Sequence, residues 1–101
     1  MAVKVRLHAR ASSDLRAIRD YLLDHASPHA ADRVRAHLLR KIARLATSPN
    51  IGTLTSHPKI RILPPTRYPY RVYYTVAAEA VIVLHIRHTA RRDVDPGDPT
   101  P

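Results

Sequence analysis

The side chains best able to do chemistry lie in the last 45 residues. Arg71 and Tyr73 alternate with Tyr70, Val72 and Tyr74, and His85 and Arg87 alternate with Leu84 and Ile86. This is the period-two pattern of a strand, whose successive side chains leave opposite faces. With Tyr70, Val72 and Tyr74 turned to a core together with Ile82, Leu84 and Ile86, the pleat collects Arg61, Arg71, Tyr73, His85 and Arg87 on the other face. Guanidinium groups grip phosphate through paired N–H donors and stabilise a phosphorane-like transition state, while imidazole or phenol supplies a general acid or base. That is the equipment of a metal-free ribonuclease, and equally of a sheet that only contacts RNA. A third reading makes these residues the wet side of a half-solvated sheet. Arg67, just before the Tyr70 run, adds a cation for target binding. After the last run come His88, Thr89, Ala90, Arg91 and Arg92, where the chain is placed to turn over either face. His88 is the best single candidate for proton transfer, because imidazole titrates near neutral pH.

Other chemistries find no support. The chain has no cysteine, which excludes disulfides, thiol catalysis and thiolate metal sites. No histidine pair has metal-ligand spacing with a carboxylate nearby, so no metal is expected. A glycine-rich phosphate loop and a nucleophile elbow are also missing, and no cofactor is expected.

The elements that must position these residues are legible from periodicity. Val3, Val5 and Leu7 alternate with Lys4, Arg6 and His8 and predict a first strand. Ser12 or Ser13 with Asp14 opens a helix carrying Leu15, Ile18 and Leu22 at helical spacing to about His25. Ser27 and Pro28 open a second helix, with Ala31, Val34, Leu38, Ile42 and Leu45 on one face and an ending near Thr47. The break at Ala26 and Ser27 predicts an antiparallel helical hairpin. Arg33, Arg35, His37, Arg40, Lys41 and Arg44 cover the other faces of the second helix and read as a solvated stripe. Residues 49–59 read as a loop, and three strands follow around Ile60–Ile62, Tyr70–Val76 and Val81–Arg87. The expected fold is α+β, an N-terminal strand and helical hairpin followed by a three-stranded antiparallel meander, with the helices on one face of the sheet.

At 101 residues there is room for one domain, read as residues 1–92. All 17 Lys and Arg lie in that span with five of the eight acids, for a net charge of +12. Residues 93–101 carry Asp93, Asp95 and Asp98 among prolines and read as a flexible acidic tail. A body this basic attracts polyanions, an attraction that weakens with salt. No apolar run approaches the roughly 20 residues of a membrane span, and the start does not form a signal-peptide stretch, so the expected location is the cytoplasm with no membrane partner.

The stretch Tyr68, Pro69, Tyr70, Arg71, Val72, Tyr73, Tyr74, then Val83 through Arg92 with its terminal His-x-x-Arg at His88 to Arg91, follows those elements in an order that resembles the RelE/ParE superfamily of type II toxin–antitoxin toxins. The likeness spans residues 2–92 and includes the helix start at Ser13, Asp14 and Leu15 and the loop from Pro49 to Gly52. It implies growth arrest, relieved by a cognate antitoxin that contributes an acidic, partly disordered segment to a hetero-oligomer. In the RelE-like branch the target is the ribosome and its mRNA. There Arg71 and Arg91, with Arg87 as a rival to Arg91, match the catalytic arginines, and His88 stands in for a C-terminal tyrosine that this chain lacks. Arg61, Arg67, Tyr73, His85, Arg87 and Arg92 are then target-binding residues. In the ParE-like branch of plasmid-stabilisation toxins the sheet chemistry is dispensable and the target is DNA gyrase. The ending from His88 to Arg92 looks closer to that branch. A non-toxic nucleic-acid-binding module is the third reading.

Overall fold

The computed structural model describes residues 2–90; the tail from Asp93 lies outside that range. Strand β1 (Lys4–Leu7) leads into helix α1 (Ala9–His25), and α2 (Pro28–Ala43) runs on through a 3-10 turn, Arg44–Ala46. Strands β2 (Thr53–Leu54), β3 (Arg61–Leu63), β4 (Tyr70–Val76) and β5 (Ala80–His88) follow. The sheet has five strands in the order β1-β5-β4-β3-β2. The meander is antiparallel as expected, but β1 pairs in parallel with β5, Lys4 opposite Ala80 and Leu7 opposite Val83. The two-residue strand β2 inside the expected loop pairs Thr53 with Ile62 and Leu54 with Arg61.

Ser27 caps α2 as its sequence indicates, its hydroxyl accepting from the Ala30 N–H at 3.0 Å with Pro28 following in the first turn. Helix α1 differs from expectation. It begins at Ala9, because His8 takes the cap position and its Nδ1 accepts from the Arg10 N–H at 3.1 Å. Ser12, Ser13 and Asp14 therefore lie inside the helix, which leaves the Asp14 carboxylate available to other elements.

Ala11, Leu15, Ile18 and Leu22 of α1 pack with Val34, Leu38 and Ile42 of α2 against Leu63, Tyr70, Val72, Tyr74, Val81, Val83 and Ile86 of the sheet. Fully burying a side chain the size of Leu38 or Val83 contributes about 1.5–3 kcal/mol, so this layer fixes the helices on one face. On β5 the expected inward set, Ile82, Leu84 and Ile86, is corrected to Val81, Val83 and Ile86, while Ile82 and Leu84 are only half-buried. The cause is a β-bulge: Tyr73 lies opposite His85 but Tyr74 opposite Val83, which leaves Leu84 unmatched and shifts the alternation by one residue.

Tyr74, in the central strand, ties the sheet to the preceding loop. Its hydroxyl accepts from the Gly52 N–H at 2.9 Å and donates to the Pro49 carbonyl at 2.8 Å. A Cβ on Gly52 would sit 2.6 Å from that hydroxyl and 2.9 Å from the Ile62 carbonyl, so only glycine fits.

Candidate functional site

Across β4 and β5, Arg71 lies opposite Arg87 and Tyr73 opposite His85. Directly opposed residues share a face, so these four side chains occupy the side of the sheet away from the helices. Tyr73 is more enclosed than an outward residue of a half-solvated sheet would be, with 6 % of its surface exposed. Ile62 lies opposite it on β3, and the His85 ring stacks on it at 6.0 Å with an interplanar angle of 24°.

His85 is held at both ring nitrogens. Nδ1 lies 2.5 Å from Asp14 Oδ2, and Nε2 lies 3.3 Å from Arg87 Nη1. A guanidinium only donates, so Nε2 accepts and the ring proton sits on Nδ1, donated to the carboxylate. Asp14 Oδ2 also accepts from the Ile86 N–H at 2.9 Å. The fold explains this placement. Strand β1 ends at Leu7 opposite Val83, and the last contact on that side is the His8 N–H on the Val83 carbonyl at 2.8 Å. Beyond it, α1 replaces β1 beside β5, and the carboxylate of its second turn takes the N–H that a longer strand would have paired. Two guanidiniums beside an imidazole and a phenol make a surface suited to anions, with the histidine oriented by a carboxylate and occupied at both nitrogens.

The remaining predicted residues separate from this set. His88 lies opposite Tyr70, ring edge to ring face at 5.3 Å, and so shares the helix side of the sheet. Its Nδ1 accepts from the Ala90 N–H at 3.0 Å, and it borders a cleft of about 180 Å³ between α1 and the end of β5. Arg71 is on the opposite face, so the structure does not bring it together with His88. Arg61 also departs from expectation. Its register partner is Tyr74, which puts it on the helix side of the sheet, where Nη1 donates to the carbonyls of Gly52 at 2.8 Å and Asn50 at 3.3 Å. Ile62 takes the outward position instead. Arg67 lies over the Tyr68 ring at 5.7 Å, beside α2 and away from the sheet face. Arg91 and Arg92 lie outside the described residues.

Asp14 is the participant that sequence reading missed. It stands 71 residues from His85, and its expected local role, in the first turn of a serine-capped helix, carries no sign of a distant partner. Among the described residues no group of three His, Asp or Glu is arranged to hold a metal ion, and no helix is long and apolar enough to cross a membrane.

Comparison with known proteins gives a consistent result. A family model described as the ParE toxin of the type II toxin–antitoxin system parDE matches residues 5–93. Toxin RelE2 of Caulobacter vibrioides is 38% identical over 84 residues, covering 81% of this chain and 90% of that protein. Among solved structures, the chromosomal ParDE toxin–antitoxin system of P. aeruginosa matches with a TM-score of 0.79 at 20% identity, covering 86% of this chain and 96% of that one. The intact E. coli RelBE toxin–antitoxin complex matches with a TM-score of 0.67 at 23% identity, covering 90% and 100%. At those identities the structural matches speak to the fold.

Proposed function

This chain belongs to the ParE toxin family, within the RelE/ParE superfamily of type II toxin–antitoxin toxins, and from that premise we propose that it arrests growth by ParE-like inhibition of DNA gyrase until a cognate antitoxin binds it. The observation that carries the non-enzymatic reading is the separation of Arg71 from His88 on opposite faces of the sheet. A metal-free ribonuclease needs a proton-transfer group within hydrogen-bonding reach of the phosphate its arginines hold. Of the two candidates on the Arg71 face, His85 has one nitrogen on Asp14 and the other on Arg87, and Tyr73 is enclosed, with 6 % of its surface exposed. The antitoxin, on this reading, brings an acidic segment that orders over the basic toxin in a cytoplasmic hetero-oligomer.

The test is a gyrase supercoiling assay with antitoxin-free protein and a folded Arg71→Ala variant. Equal inhibition by both supports this reading. Ribosome-dependent mRNA cleavage is the second reading, favoured by the Arg71, Arg87, Tyr73 and His85 set and by the 38% identity to a protein named toxin RelE2. Growth arrest without gyrase inhibition, abolished by Arg71→Ala, would replace the first reading with the second.

A further inference from the structure

The cationic stripe of α2 borders a groove. Arg33, His37, Arg40, Lys41 and Arg44 recur at intervals of four, three, one and three residues, and at about 100° per residue they fall within one sector of the helix. The connection between β3 and β4 rises beside that sector and turns it into one wall of a groove. Lys41 Nζ donates to the Pro64 carbonyl at 2.7 Å, His37 Nε2 meets the Thr66 hydroxyl at 3.2 Å, and the His37 ring stands edge-on to Tyr68 at 5.0 Å. Two clefts of about 210 and 470 Å³ meet at His37, one bordered by Arg33, Arg40 and Arg67, the other by Arg44, Ile51 and Leu63. No carboxylate lines either cleft among the described residues.

We propose that this groove between α2 and residues 63–68 binds the phosphodiester backbone of duplex DNA, as a site separate from the outer sheet face. The Arg33-to-Arg44 stripe rises about 16.5 Å along the helix, longer than the spacing of neighbouring phosphates on a strand, so it can meet more than one of them. Arg33, Arg40, Lys41 and Arg44 supply its cations, and Arg67 adds one from the facing wall. Such a row suits a regular polyanion. Four of the five are arginines, whose planar donors suit phosphate oxygens, and the Arg67 guanidinium carbon lies 5.7 Å from the centre of the Tyr68 ring, within cation–π range. The positive field in the groove is already felt by His37, whose pKa is lowered from 6.5 by burial and then by Lys41, Arg40 and Arg67. With no acid among the described residues lining it, the groove gains from an anionic occupant.

The site stands apart from the gyrase reading, and its test contains no gyrase. Antitoxin-free protein is titrated into a fluorescein-labelled 24-base-pair duplex of arbitrary sequence, and anisotropy is followed between 50 and 200 mM NaCl. Arg33→Ala/Arg40→Ala is compared with Arg16→Ala/Arg35→Ala, which removes the same charge from exposed positions off the stripe. The stripe variant is expected to lose at least tenfold in affinity, and its slope of log K against log salt to shallow by about 2, while the control stays within about twofold. Arg67→Ala, outside the helix, should weaken binding too, which guards against a helix defect. No binding by the unaltered protein at 50 mM salt, equal losses in stripe and control variants, or displacement of the duplex by polyglutamate as readily as by unlabelled DNA would each overturn the proposal.

Discussion

The Asp14 carboxylate holds His85 across 71 residues of chain, its Oδ2 lying 2.5 Å from Nδ1 of the imidazole and 2.9 Å from the N–H of Ile86. One side chain thereby joins the second turn of α1 to the bulged region of β5, at the point where β1 no longer covers that strand. The contact is at once a strand cap and the orienting element of the sheet-face histidine.

Replacing Asp14 with Ala strips the Ile86 N–H and the His85 Nδ1–H of their acceptor. Leaving such half-buried donors unpaired costs about 1–3 kcal/mol, and urea denaturation should show that loss. Asp14→Asn retains a side-chain carbonyl acceptor and should lose less. Wild-type stability in the Ala variant would mean that the contact contributes nothing.

Gly52→Ala should destabilise the fold, because the new methyl meets the Tyr74 hydroxyl at 2.6 Å and the Ile62 carbonyl at 2.9 Å. Overpacking of this kind costs about 1–3 kcal/mol. Tyr74→Phe deletes the hydroxyl that both Gly52 and Pro49 use, at a further cost of about 1–3 kcal/mol. The two losses should not add in the double variant, since removing the hydroxyl also removes one of the clashing atoms. A double-mutant cycle by thermal unfolding checks this, and strict additivity would contradict the contact.

His37 predicts a pH dependence. Its pKa lies below 6.5 in the folded protein through burial and the charges of Lys41, Arg40 and Arg67, so the unfolded chain takes up this proton at higher pH than the folded one. The stability linked to the neutral ring is complete above 6.5 and is lost as pH falls through the folded value. Melting temperatures of the protein and a His37→Gln variant, compared at pH 7.5 and 5.5, should show a smaller acid-side drop in the variant. Equal drops would assign the effect to other groups.

Much of the fold was readable in the chain. Ser27 with Pro28 marked the start of α2, and the Tyr70, Val72, Tyr74 alternation placed the right face of β4 against the helices, because both signals are local. The differences arise where an unforeseen cap or a distant contact overrides the expected pattern. His8 capped α1 with a ring nitrogen, so the serines that looked like caps became helix interior. Leu84 falls in a bulge, and the unbroken apolar run from Val81 to Leu84 gives no hint of where the register slips. Strand β2 has two exposed residues and no apolar face to betray it. For the candidate site, His85, Arg71, Arg87 and Tyr73 were found together because strand periodicity alone groups them. Arg61 was misplaced by the pairing register, and Asp14 was missed because no spacing rule links a helix carboxylate to a strand that begins more than sixty residues later.

The parallel pairing of β1 with β5 also bears on how the polypeptide is made. Among the described residues, residues 4–7 pair with residues 80–83 alone, and Val81, Val83 and Ile86 help close the interior. A nascent chain that has emerged as far as Glu79 carries both helices yet has nothing for its first strand to pair with, and contacts of such long sequence separation form late and slowly. Closure of the fold therefore waits until β5 has been made, and a chain cut short before Ala80 leaves β1 without the strand it pairs with.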